Sequence, residues 1–182
     1  SYYLWRMFAI SPNYDELYTF YYFISKGPLY SAVHWPLPNN HVGYSILSSM
    51  LYRFGNSYIA LRGVSYVAAI ANLILVYRIC RKYYSHAIPF GAVVLYASMQ
   101  IVNDYSVLGR GYTLATTCFL LSIYYIGYIC RLGTEKKSYY FLFGGTLVLG
   151  MYIVPSSIYW VVPVWASIAR SEERFSRNAE TD

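Results

Sequence analysis

The chain has 182 residues, of which 57% are hydrophobic, 20% aromatic and only 12% charged, with 24 tyrosines and a net charge of +6. Ordinary soluble domains carry roughly 25% charged residues, and a body of this size cannot cover so much apolar surface, so the composition describes an integral membrane protein. The three cysteines are odd in number, and Cys118 lies inside an apolar run, which excludes a secreted disulfide scaffold. From Ser1 to Ile10 the chain is apolar and aromatic, with no initiator Met and no basic leader, so it reads as a fragment entered in mid-sequence.

Ser11-Pro12-Asn13 breaks whatever helix precedes it. Asp15 and Glu16 then open the run Leu17 to Ile24, which is apolar and aromatic apart from one Thr. Adjacent carboxylates near a membrane interface are costly unless they meet a cation, a proton or a substrate. One carboxylate can take a proton from an attacking hydroxyl while its neighbour holds a divalent metal or orients the acceptor. Alternatively, Asp15 caps the following helix and Glu16 complements its positive end.

Next comes His34-Trp35-Pro36-Leu37-Pro38-Asn39-Asn40-His41, whose prolines force an extended, turn-rich path. His34, Asn39, Asn40 and His41 can present imidazole and amide groups to a sugar or a metal. Without a matched carboxylate spacing the metal signal is weak, and the competing reading is a solvated loop. Val42, Ile46, Met50 and Phe54, with Leu47 and Leu51 beside them, have the spacing of a helix lying at the interface or entering it briefly.

Four stretches then qualify as membrane spans. Tyr58 to Tyr77 is apolar except for Arg62, Asn72 and a few small residues, and Ala87 to Val102, Tyr112 to Cys130 and Tyr139 to Val154 carry no charge. Ile158 to Ala169, reached through a turn at Pro155-Ser156-Ser157, is shorter and contains Pro163. The expected fold is therefore an all-α integral membrane protein: a polytopic bundle of four to five transmembrane helices over 58–169. An outer loop with interfacial helices occupies 11–57, and a polar cytosolic tail 170–182, within a single membrane domain.

Basic residues fall in three clusters, at Arg78, Arg81 and Lys82, at Arg131, Lys136 and Lys137, and at Arg170, Arg174 and Arg177. Two spans separate each cluster from the next, so all three share one face, which the positive-inside rule makes cytoplasmic. They read as a topology signal, with no nucleic-acid role. Tyr83, Tyr84, Tyr139 and Tyr140 read as interfacial anchors.

Of the eight acidic residues, only Asp15, Glu16 and Asp104 then fall on the outer side. Arg110 lies there too, between Gly109 and Gly111, which allow a backbone or ligand to approach closely. Its planar fork suits a phosphate, while an ion pair with Asp104 would close the turn instead. Arg62, one turn into the first span, either faces the outer cavity or snorkels to the interface.

In their order along the chain, Asp15-Glu16, Asn39-Asn40-His41 leading into an apolar helix, Phe54-Gly55-Asn56-Ser57, Arg62-Gly63-Val64-Ser65 and Arg110-Gly111-Tyr112 resemble the N-terminal half of the GT-C glycosyltransferases. The similar branch contains the protein O-mannosyltransferases, the aminoarabinose transferases acting on lipid A and the RgtA/B/C/D-like bacterial sugar transferases. After His41 the chain departs from them, with Val42-Gly43-Tyr44 where many relatives have Pro-Pro or Pro-Leu. The resemblance implies transfer of a sugar from a polyprenyl-phosphate donor to a lipid, glycan or protein acceptor, in the bacterial inner membrane with the site facing the periplasm. It implies Asp15 as the catalytic carboxylate with Glu16 beside it, Arg110 toward the donor phosphate and His41 near the site; Arg62 is a further candidate for the phosphate, and Asn40 and Tyr112 for the substrate. A divalent cation held by Glu16 and His41 is an added option. The competing class is a transporter or a flippase for lipid-linked sugars, since intramembrane charges also mark transport pathways.

Overall fold

The computed structural model describes residues 2–34, 40–132 and 137–179, and among them every regular element is helical. Helix α1 (Tyr2–Ala9) stops ahead of Pro12, and α2 (Tyr14–Tyr22) begins with a reciprocal cap. Asn13 Oδ1 accepts the Glu16 N–H at 2.9 Å while Glu16 Oε2 accepts the Asn13 N–H at 3.0 Å. The capping residue is thus Asn13 and not Asp15. A 3-10 turn (Ile24–Lys26) and Gly27, at φ 100°, lead into α3 (Pro28–Val33), whose first position suits proline because its missing N–H has no helical partner there.

Helix α4 (Val42–Tyr52) forms where the periodicity predicts it. Its buried residues are Tyr44, Ser45, Ser48 and Ser49, while Leu47, Met50 and Phe54 just beyond it are exposed. Small serines let the backbone of α4 approach α5, and the apolar side chains face outward, as packing in lipid favours.

Helix α5 (Ser57–Tyr83), capped by Asn56, has 27 residues and is about 40 Å long. Helix α8 (Tyr112–Leu132) follows two shorter elements, α6 (Ile88–Ser98) and α7 (Gln100–Tyr105). Among the described residues, α5 and the Tyr112–Cys130 part of α8 are long and apolar enough to cross a membrane. The uncharged run 87–102 is not one helix: the backbone turns extended at Met99, with ψ 126°. Helix α9 (Lys137–Ile153) has 17 residues, and after a 3-10 turn (Pro155–Ser157) α10 (Ile158–Ala179) continues through Pro163 and past Ala169.

Helix α8 packs against both α5 and α9. One apolar cluster, of Tyr44, Val64, Ala115, Cys118, Ile153 and Val154, lies at the end of the bundle where α8 begins. A second, around Ile129, Phe143, Leu147, Val161, Val164 and Ile168, fills the other end. At that second end Lys82 Nζ sits 3.5 Å from the centre of the Tyr128 ring, itself stacked on Tyr139, so the last turn of α5, with Arg81 and Lys82, lies away from the N-terminus of α8. Of the residues singled out in the sequence, Trp35 to Asn39, Lys136 and residues 180–182 lie outside the described residues.

Candidate functional site

The centre of the end at which α8 begins is a buried ion pair. Arg62 donates from Nε to Glu16 Oε1 and from Nη2 to Glu16 Oε2, each at 2.8 Å, and both residues are 1% exposed. The remaining Arg62 nitrogen, Nη1, donates to the carbonyls of Met7 at 3.0 Å and Ile10 at 2.7 Å, where α1 ends. Glu16 Oε1 also accepts the Gly109 N–H at 2.6 Å. Only glycine fits at 109, since a Cβ would stand 2.8 Å from Leu61 and 2.9 Å from Glu16 Oε1. Ser65, one turn along α5 from Arg62, donates to Leu108 O at 2.6 Å and holds the same turn from a second point.

Beyond that turn the chain presents Arg110, Gly111 and Tyr112. Arg110 is buried, with Nη1 donating to Thr19 Oγ1 at 3.1 Å and Nη2 lying 3.4 Å from His41 Nε2. Thr19 in turn donates to the Asp15 carbonyl at 2.8 Å. The Gly111 N–H donates to His41 Nδ1 at 2.8 Å, which places the imidazole hydrogen on Nε2 in the neutral ring. Burial, reinforced by the Arg110 charge, pulls the His41 pKa down from 6.5 to about 3, so the ring is neutral at physiological pH. Tyr112 packs edge-on against His41, with ring centres 4.8 Å apart, and also against Tyr105.

Asn40 is buried by structural bonds: Nδ2 donates to Ser31 O at 3.0 Å and to His34 O at 3.3 Å, and Oδ1 accepts from Ser45 Oγ at 2.8 Å. It anchors the end of the loop and so aims His41. Asp15 is exposed, one turn before Thr19 on the same face of α2, and makes no side-chain hydrogen bond among the described residues. Asp104 does not pair with Arg110. Its partner is Arg6, at 3.2 Å.

Sequence reasoning therefore singles out Asp15, Glu16, Asn40, His41, Arg62, Arg110 and Tyr112, and the structure gathers all of them at one end of the bundle in two tiers. Glu16 and Arg62 are spent on each other and on backbone; Arg110, His41 and Tyr112 form a cluster that Thr19 links to the start of α2. The donor set does not fit a divalent cation. Both oxygens of Glu16 serve Arg62 and amide hydrogens, His41 Nδ1 serves Gly111, and His41 Nε2 faces a guanidinium. Nor do the described residues bring three or more acidic, His or Cys side chains together. Thr19 and Gly109 were missed as site residues. Thr19 had a signal, its i, i+4 spacing from Asp15; for Gly109 the sequence signalled a close approach but not its partner, since the bond to Glu16 spans 93 positions.

On the far side of Tyr112 lies a mostly apolar cavity of about 480 Å³, lined in part by Asn72, Tyr96, Thr113, Phe119 and Trp160.

No curated protein and no solved structure gives a significant match to this sequence. Residues 41–178, about three quarters of the chain, match the family described as dolichyl-phosphate-mannose-protein mannosyltransferase. That stretch contains His41, Arg62, Arg110 and Tyr112, with Asp15 and Glu16 ahead of it. The chain belongs to this family of membrane glycosyltransferases.

Proposed function

We propose that the protein is a multi-pass membrane enzyme that moves a sugar from a polyprenyl-phosphate carrier to an acceptor hydroxyl or amine on a lipid, glycan or protein. The reaction takes place at the end of the bundle opposite the basic residues, which the positive-inside rule makes the outer face. The observation that carries this reading is the Thr19 bridge. Through it the Arg110 guanidinium is tied to the turn of α2 whose backbone carbonyl belongs to Asp15, so a cation for the leaving phosphate and an exposed carboxylate as base for the acceptor are carried on adjoining segments. Family membership supports the reaction class.

The chemistry is one inverting displacement. The acceptor oxygen or nitrogen attacks the anomeric carbon from the side opposite the phosphate, its proton passes to the Asp15 carboxylate, and the bond from carbon to phosphate oxygen breaks. The bonding pair leaves on the polyprenyl phosphate. Arg110 meets the charge that grows there, in a buried setting where a fixed cation acts most strongly, and the Nε2–H of neutral His41 adds a second donor beside it. The apolar cavity behind Tyr112 suits the first isoprenoid units of the carrier.

The test is transfer by membranes containing the full-length protein, with the anomeric configuration of the product read by NMR and the donor KM compared between wild type and Arg110→Ala. Inversion is expected, with a donor KM raised at least about tenfold, the scale of one lost charge-assisted hydrogen bond. Retention of configuration rules out the single displacement, and an unchanged KM removes Arg110 from the phosphate.

A further inference from the structure

We infer that Glu16 and Arg62 are a positioning pair for the proposed transfer, touching neither substrate and fixing the separation between Asp15 and Arg110. This rests on the reading of Asp15 and Arg110 given above. Three chain segments meet on one carboxylate. Glu16 closes the N-terminus of α2 through the Asn13 N–H, grips α5 through two bonds to Arg62, and holds the turn before α8 through the Gly109 N–H. Asp15 precedes Glu16 in the chain and Arg110 follows Gly109, so the groups given the roles of base and phosphate cation are each one residue from an atom bound to the same carboxylate.

Arg62 completes the frame from the other side. Its Nη1 holds the carbonyls of Met7 and Ile10 and so fixes where α1 ends and the chain turns toward Asp15. Little capacity is left for a ligand, since four of the five Arg62 N–H groups are used. Every Arg62 nitrogen is engaged, both Glu16 oxygens accept two bonds, and each residue is 1% exposed. A group that met the donor phosphate or took the acceptor proton would have to leave this frame first. A packed site tolerates little loss of register, because displacements of about 1 Å cost on the order of a hundredfold in rate.

The experiment compares wild type, Glu16→Gln, Arg62→Lys and the double variant Glu16→Leu/Arg62→Met in the full-length protein. The double variant removes both charges together, so that no buried charge is left alone to prevent folding. Two readouts are taken. Hydrogen exchange of the peptide covering 106–111 is expected to accelerate at least about tenfold in Glu16→Gln and the double variant, with the interiors of α5 and α8 unchanged. Donor kinetics are expected to show kcat lowered at least about tenfold in all three variants, donor KM within about threefold of wild type, and a pH–rate profile of unchanged shape.

An unaltered exchange rate in the turn, or wild-type kcat in the double variant, overturns the inference. So does a tenfold rise in donor KM at constant kcat in Arg62→Lys, which puts Arg62 on the phosphate, or loss of the acidic limb of the profile in Glu16→Gln, which makes Glu16 the base. Full activity in an Asp15→Asn control overturns the base assignment instead, and faster exchange in the turn then still supports the frame.

Discussion

At the scale of single residues, burial decides which of the charged groups matter to stability. Arg62 and Glu16 are almost wholly buried, whereas in the pair between Arg6 and Asp104 the side-chain exposures are 14% and 56%. Removing one partner of a buried pair strands the other, so Arg62→Ala should cost about 3–5 kcal/mol. Arg6→Asn should cost about 1 kcal/mol or less in its ion pair. Denaturant unfolding in detergent measures both, and equal losses would contradict the assignment of Arg62 as the central tie. His41 adds a pH dependence. Its folded pKa, about 3, lies below the 6.5 of the free side chain, so its contribution is complete above about 6.5 and is lost progressively as pH falls toward 3. Stability of wild type should therefore fall between pH 6.5 and 5 more steeply than that of His41→Gln; matching slopes would show that His41 is not held neutral. Part of this was legible in the sequence, since an arginine between two glycines at a span's edge announces a close approach. The tie from Glu16 to Arg62 was not, because that partner lies 46 positions away, and the local N-x-x-E spacing from Asn13 signals only a cap.

At the scale of elements, the caps and breaks were easier to read than the faces. Ser11-Pro12-Asn13 marked the start of α2, yet the cap belongs to Asn13, which has the extended backbone that a capping residue needs, while Asp15 already lies inside the helix. Replacing Asn13 by Ala should cost roughly 1 kcal/mol and weaken the bond that holds Glu16 from below. In α4 the apolar spacing marked the helix, whereas the face that packs on its neighbours is the one with Tyr44, Ser45, Ser48 and Ser49, which the apolar spacing does not mark. Ser48 is fully buried against neighbouring helices. Ser48→Ala should be tolerated, and Ser48→Leu should destabilise by about 1–3 kcal/mol through overpacking; thermal unfolding of the two variants decides, and a harmless Leu would mean that α4 does not pack by this face. The uncharged run 87–102 shows the limit of counting apolar residues, since composition gives no sign of the break at Met99 that separates α6 from α7.

At the scale of the whole molecule, α5 carries Arg81 and Lys82 to one end of the bundle and the Arg110 cluster lies at the other. The site at the N-termini of α5 and α8 and the Lys82–Tyr128 contact near their far ends are separated by the rise of α8 from Tyr112 to Tyr128, about 24 Å. The alternation of basic clusters with apolar runs was legible in the sequence, whereas the convergence of residues from positions 7 to 111 on Arg62, Glu16, His41 and Arg110 required the fold. The proposed orientation has a direct check in cysteine labelling. A membrane-impermeant thiol reagent applied to intact cells should modify a cysteine placed at Ser156 and reach the exposed native Cys130 only after permeabilisation; labelling of both from outside would contradict the two-ended arrangement. The central claim is sugar transfer from a polyprenyl-phosphate carrier with Asp15 as the base. Its most direct test is the turnover of such donors by membranes containing the full-length protein, wild type beside Asp15→Asn. The account predicts transfer by wild type and a loss of about a hundredfold or more in kcat in the variant, with insertion unchanged. Equal turnover would move the base away from Asp15, and the absence of transfer from any such donor by well-inserted wild type would contradict the account itself.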